Sequence, residues 1–190
     1  MNRWGPRSRW FIDSATRFAC IAWCSGTVIF AMAPALHAQG DAAVERGRYI
    51  FTAAGCLGCH TREKPKGAFL IGDRRLETPF GAFLTHNITS DLSHGIGSGS
   101  LEGFKQAMRQ GRGPDHSVYF PVFPYASSTG MYDTDLANLW AYLKTLPPFA
   151  EPSAEQELTF PFSLRTLTWP WRWLYFEERR GDHAPGQSEM

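Results

Sequence analysis

Cysteine is scarce in this chain, with four in 190 residues, at positions 20, 24, 56 and 59. The scarcity excludes a scaffold stapled by many disulfides. No cysteine follows residue 59 and the histidines beyond His60 lie singly, so a four-ligand structural zinc site is not assembled. Runs of like charge are missing as well. From position 39 onward 15 Lys and Arg stand among 17 Asp and Glu, a net of −2 with the signs interspersed. That balance gives no electrostatic reason to expect nucleic acid as a partner. No internal repeat occurs, and no Arg-Arg pair falls in the first 17 residues to signal a twin-arginine export route.

The N-terminus has a pattern of its own. Arg3, Arg7, Arg9 and Arg17 stand against Asp13 alone, an uncharged stretch runs from Phe18 to His37, and the exit reads Ala33-Pro34-Ala35-Leu36-His37-Ala38. A positive region, an apolar region and small residues in that order form the plan of a secretory signal peptide. Residues 1–38 are therefore read as an export signal, with cleavage expected after Ala35 or Ala38. The rival is an uncleaved anchor, since about 20 apolar residues can span a bilayer. Either outcome places the rest of the chain outside the cytoplasm, in the periplasm. Cys20 and Cys24 belong to that segment, so the exported part keeps only Cys56 and Cys59. Roughly 150 residues remain, enough for one domain with a modest core.

Those two cysteines sit in Cys56-Leu57-Gly58-Cys59-His60, a C-x-x-C-H string. Two thiols at this spacing can add across the two vinyl groups of a haem, and the next histidine is then delivered to the iron as proximal ligand. A thioredoxin-like redox pair should open a helix after a strand, and no such context precedes Cys56. The reading is one covalent haem c on Cys56, Cys59 and His60. It also supplies the apolar staple that a small exported domain without disulfides needs.

Three helices are predicted. The first covers about 41–54, with Val44, Gly47, Phe51 and Ala54 at helical spacing and Gly55 as its stop. A glycine inside it costs helix stability, and so points to close approach of another helix at Gly47. The second runs about 100–111, capped by Ser100, with Leu101, Phe104 and Met108 on one face and Gly111 at its end. The third covers about 134–145 behind Asp133 as N-cap, with Leu136, Leu139, Trp140 and Leu143 in one stripe before Pro147-Pro148. Residues 61–99 and 112–132, punctuated by Gly and Pro, read as loop. The expected fold class is all-α, a class I cytochrome c domain over 41–149 whose helices and long loops wrap one haem. An irregular aromatic extension follows over 150–190.

The sixth iron ligand has several candidates: Met108, Met131, Met190, His86, His94, His116 and His183. Met108 falls on the apolar face of the second helix and is assigned to core packing. Met131 follows a Pro- and aromatic-rich loop, Tyr119 to Tyr125, and stands just before the last helix of the domain. A thioether is a soft ligand suited to iron in this setting, so Met131 is preferred, with His116 first among the histidines. Arg74 and Arg75 are read as solvated arginines rather than propionate partners.

The segments Gly55–Thr61, Leu76-Glu-Thr-Pro-Phe-Gly81, Asn87-Ile-Thr89, Gly95-Ile-Gly97, Tyr119 to Tyr125 and Leu139 to Pro148 resemble bacterial c-type cytochromes. These serve periplasmic membrane-bound alcohol, gluconate, sorbitol or aldehyde dehydrogenases. The likeness spans about residues 43–176. It implies thioether bonds at Cys56 and Cys59, His60 as proximal ligand and Met131 as distal ligand, as in the first haem domain of those subunits. Where the family usually has a residue such as Lys before the methionine, this chain has Gly130. In the family the segment resembling Leu158–Arg165 and Trp171–Phe176 leads on to a second haem domain. No second C-x-x-C-H occurs here, so the expectation is a single-haem version, or the first domain of a split multihaem subunit.

The resulting expectation is an electron carrier and not an enzyme. It would pass electrons by outer-sphere transfer from a dehydrogenase toward a respiratory-chain acceptor. The alternatives are a five-coordinate haem enzyme or gas or peroxide sensor, and a docking subunit that uses the aromatic tail. Membrane association through the N-terminal segment or that tail is also expected. The tail carries Trp169, Trp171, Trp173, Tyr175 and Phe176 within eight residues, and folding back over the haem domain is its rival role.

Overall fold

The computed structural model describes residues 39–62 and 69–179. Residues 1–38, the expected export signal with Cys20 and Cys24, and also Gly67, His183 and Met190, lie outside the described residues. No helix among the described residues is long and apolar enough to cross a membrane. The unit from Ala43 onward holds every element below except the first residues of α1.

Helix α1 covers 39–53 and ends at Gly55, whose φ of 68° is left-handed and open to glycine at no steric cost. A single turn, α2, follows at Cys56–His60. Helix α3, Leu101–Gln110, starts at Ser100, whose hydroxyl accepts from the Gly103 amide at 3.1 Å, and stops at Gly111 in the left-handed region. Here the predicted caps are the observed ones. A short α4, Tyr125–Ser128, lies inside what reads as loop in the sequence. Helix α5, Asp133–Thr145, is capped by Tyr132 and not by Asp133. The Asp133 carboxylate instead binds Lys105 and Arg109 on α3.

The core forms where α1 crosses α5. Ile50 and Phe51 meet Leu139 and Leu143 there, with Leu70 from a loop between them. Gly47 is the point of closest approach, because a Cβ there would lie 2.0 Å from the Asn138 carbonyl oxygen. The helix-contact expectation for that glycine holds. Helix α3 packs on α4 and α5, and Phe104 stacks on Trp140 at 5.1 Å.

The all-α expectation is corrected by a small antiparallel sheet of three strands, β1 Arg75–Thr78, β2 Gly81–Leu84 and β3 Glu157–Leu158, in the order β1-β2-β3. Thr78 pairs with Gly81 across the turn at Pro79-Phe80, and Ala82 pairs onward with Glu157. Gly81, at φ 112°, lies so close to β3 that a Cβ would meet the Glu157 carbonyl at 2.4 Å. Strands of four, four and two residues carry too little alternation to stand out locally. The third strand comes from chain 70 or more residues away, where the Gln156 side chain also donates to and accepts from the Leu84 backbone at 2.8 and 3.0 Å.

The tail is likewise more ordered than the expected irregular extension. After β3 a 3-10 turn, Arg165–Leu167, runs into α6, Thr168–Tyr175. Trp171 and Phe176 pack edge-on against the fully buried Tyr125 ring at 6.2 and 5.1 Å. Arg172 lies 4.1 Å over Phe176 and donates to the Gln110 carbonyl at the end of α3. The fold-back reading holds for this inner face, while Phe160, Trp173, Leu174 and Tyr175 stay outside, 60% to 85% exposed.

Candidate haem-binding site

Helix α2 sets the geometry of the motif. One helical turn puts Cys56 and Cys59 three residues apart on neighbouring positions, with His60 next to the second. Both thiols are free. Cys59 is exposed, and Cys56 is half-buried against the α1/α5 core. Burial pushes the Cys56 thiol up to about 11. A dithiol redox centre needs the opposite shift, a stabilised thiolate, and the motif follows a helix and a turn, not a strand. Among the described residues no group of three or more His, Cys, Asp or Glu is arranged to hold a metal ion by itself.

His60 is held by its ring nitrogen. Nδ1 donates to the His86 carbonyl oxygen at 2.7 Å, which fixes the proton there and leaves Nε2 as the free lone pair. Burial also lowers the pKa of this imidazole, favouring its neutral, ligating form. The carbonyl that orients His60 is itself fixed by its neighbours. Gly72 donates its amide to the His60 carbonyl at 2.8 Å and lies so near residues 85–87 that a Cβ would sit 2.5 Å from the His86 carbonyl carbon.

Next in the chain, Asn87 is buried with its side chain fully used. It donates to the carbonyls of Phe149 and Glu151 at 2.9 and 3.0 Å and accepts from the Thr89 amide and hydroxyl at 2.9 and 2.8 Å. Its own amide donates to the Ser153 hydroxyl. Residues 87–89 and 149–153 thus form a strap, which Arg62 ties to the motif through Glu151 at 2.8 Å, with Asp73 also 3.6 Å from Arg62.

Met131 is half-buried and packs against the same cluster as Cys56, as does Met108. The Met131 amide donates to the Ser128 carbonyl at 3.0 Å, and its carbonyl accepts from Arg109. The histidine candidates fare differently. The backbone carbonyl of His86 accepts from His60. His116 is exposed, at φ 62° in the turn after Gly113. His94 is exposed and lies 3.6 Å from Asp91. Arg75 is committed to Glu77 and Glu157, in keeping with a solvated arginine.

The donor chemistry fits haem c. Two thiols on one turn could supply thioether tethers, an imidazole with its Nδ1 anchored could supply the proximal nitrogen, and a thioether at Met131 packs on the shared core. Sequence reasoning missed the His86 carbonyl, Gly72 and Arg109. Only Gly72 left a trace, as a glycine in a loop; the other two act over 26 and 22 residues of separation.

No family model matches the chain. It is 38% identical over 144 residues to a diheme cytochrome c-type protein of Cereibacter sphaeroides, covering 74% of this chain and 49% of that one. It is 34% identical over 162 residues to the fructose dehydrogenase cytochrome subunit of Gluconobacter japonicus, covering 84% and 33%. With the gluconate 2-dehydrogenase cytochrome c subunit of Pantoea cypripedii it shares 33% over 173 residues, covering 89% and 38%. The chain thus spans half or less of the length of these curated relatives. The chain is homologous to the cytochrome subunits of such dehydrogenases, and it resembles one part of those longer proteins.

Proposed function

We propose that the chain is a periplasmic electron carrier with one haem c, built on the class I cytochrome c plan and exported by residues 1–38. It takes electrons from a dehydrogenase and hands them toward the respiratory chain. Cys56 and Cys59 are the tethers, His60 the proximal ligand and Met131 the distal ligand. The observation that carries the reading is the His60 Nδ1 bond to the His86 carbonyl, which leaves Nε2 as the free lone pair on the residue that follows Cys59. When bound, the haem supplies a reversible one-electron couple, which His/Met ligation sets relatively high. The protein's own work is to keep both ligands in place in either oxidation state and to exclude competing ligands.

The holoprotein tests this directly. One haem per chain and the weak far-red charge-transfer band of ferric His/Met haem are expected, with no carbon monoxide binding at equilibrium. A five-coordinate spectrum with full carbon monoxide occupancy would instead support the enzyme or sensor reading and overturn the carrier.

A second reading concerns partners, and the exposed outer face of the tail favours it. Phe160 and Trp173 are 80% and 85% exposed, and clustered exposed aromatics mark contact surfaces. On this reading the tail face docks the dehydrogenase, and the N-terminal segment or the same face associates with the membrane. Deleting residues 158–190 would remove β3 and the packing on Tyr125. Trp173→Ser with Phe160→Ser is the cleaner probe, because both side chains point to solvent. Loss of co-purification with the dehydrogenase is expected, and unchanged co-purification removes the docking role.

A further inference from the structure

We propose that Arg109 is a positioning residue that bolts the Met131 backbone in place and thereby holds the sixth coordination position closed to other ligands. The inference rests on Met131 as the distal ligand, the reading of the preceding subsection. Arg109 lies in the last turn of α3, with only 17% of its side chain exposed. Its Nε and Nη2 both donate to the Met131 carbonyl, at 3.2 and 2.5 Å. Its Nη1 meets Asp133 Oδ1 at 2.5 Å, and Lys105 Nζ meets Asp133 Oδ2 at 3.0 Å.

One guanidinium thus grips the backbone of residue 131 and the first residue of α5 together. The amide side of Met131 is secured as well. It donates to the Ser128 carbonyl, and the Ser128 hydroxyl donates to the Met108 carbonyl on α3. Both backbone polar groups of Met131 are therefore tied back to α3.

A simple helix-to-helix ion pair would need only Asp133, which Lys105 already contacts. What the pair does not explain is the two-pronged donation to the Met131 carbonyl. Only the planar arginine fork can make that while also meeting Asp133; a lysine ammonium is a single point donor. An incoming ligand must swing Met131 aside, and that motion breaks charge-assisted bonds on its own backbone.

The full-length holoprotein carries the test, with imidazole as the competing ligand and the ferric far-red band as the readout of Met131 ligation. Arg109→Gln is expected to raise imidazole affinity by roughly tenfold or more, the scale of losing a charge-assisted hydrogen bond. Arg109→Lys, which keeps the Asp133 pair, should recover thermal stability without recovering resistance to imidazole. Asp133→Asn should change imidazole affinity less than Arg109→Gln.

An Arg109→Gln protein that melts earlier but binds imidazole within about twofold of the wild type would make Arg109 a structural brace only and overturn the proposal. If Arg109→Gln does not fold, a wild-type response in Arg109→Lys overturns it equally. Met131→Ala is the separate control on the ligand: a retained band with unchanged imidazole affinity would remove Met131 from the iron, and the proposal with it.

Discussion

The two sides of the site are held by different means. On the His60 side the anchors are main-chain groups and a buried amide: the His86 carbonyl, the Gly72 amide, and Asn87 with all of its side-chain capacity used. On the Met131 side the anchors are charged side chains, Arg109, Lys105 and Asp133, the last with a 60% exposed side chain. Main-chain anchors arranged around a buried amide shift less readily than surface side chains. Ion pairs reaching solvent are weaker and adjustable. The contrast matches the chemistry expected of each ligand. On the proposed ligation the tethered histidine would stay in place, and the methionine position would be where another ligand enters.

Breaking the rigid side should therefore have the largest effect on the fold. Asn87→Ala strands the carbonyls of Phe149 and Glu151 and the Thr89 hydroxyl, and is expected to cost about 3 kcal/mol by denaturant midpoint. A cost below about 1 kcal/mol would mean that the strap does not hold the His86 carbonyl. Gly72→Ala is expected to cost about 2 kcal/mol through its positive φ of 83° and the 2.5 Å approach to residue 86. It should also broaden the imidazole NMR signals of His60. An unaltered His60 environment would separate the glycine from the anchor.

The adjustable side should respond less in stability and more in ligand exchange. Asp133 is held below the usual carboxylate range, chiefly by its hydrogen bond from Lys105. A depressed carboxylate contributes stability above its unfolded pKa and loses it as pH falls through the folded value. The Asp133→Asn protein should thus show a slightly flatter melting-temperature profile on the acid side of that range, and no difference near neutrality would exclude the effect. Smallest of all, Arg75→Ala, at a surface pair with Glu77 and Glu157, should change stability by less than about 0.5 kcal/mol. A larger loss would show that the sheet edge needs that arginine.

Much of the helical frame was legible locally. Ser100 and Gly111 bound α3 because a hydroxyl acceptor and a left-handed glycine satisfy backbone groups within one turn. Gly47 announced the α1–α5 crossing because only a missing Cβ allows so close an approach. Other elements were hidden for an equally physical reason. Residues 75–84 look like punctuation around Pro79 and Gly81 yet pair as a hairpin, and the third strand is added only when Glu157 and Leu158 arrive to pair with Ala82 and Gly81. Asp133 resembled a cap, yet two cations on α3 claimed its carboxylate first. The tail showed its aromatics, but not that Trp171 and Phe176 would turn inward onto Tyr125 while Trp173 stayed out.

By itself the sequence determined the C-x-x-C-H string from Cys56 to His60, the principal helices and the lack of any cysteine after residue 59. These depend on spacing along one turn or one amphipathic face, which short-range sterics dictate. Only the tertiary structure decided which carbonyl orients His60, which arginine grips Met131 and which half of the aromatic tail remains outside. Those partners lie 22 to 62 residues apart. They meet because the α1–α5 core and the buried Asn87 strap fold the intervening chain, a condition no local pattern encodes.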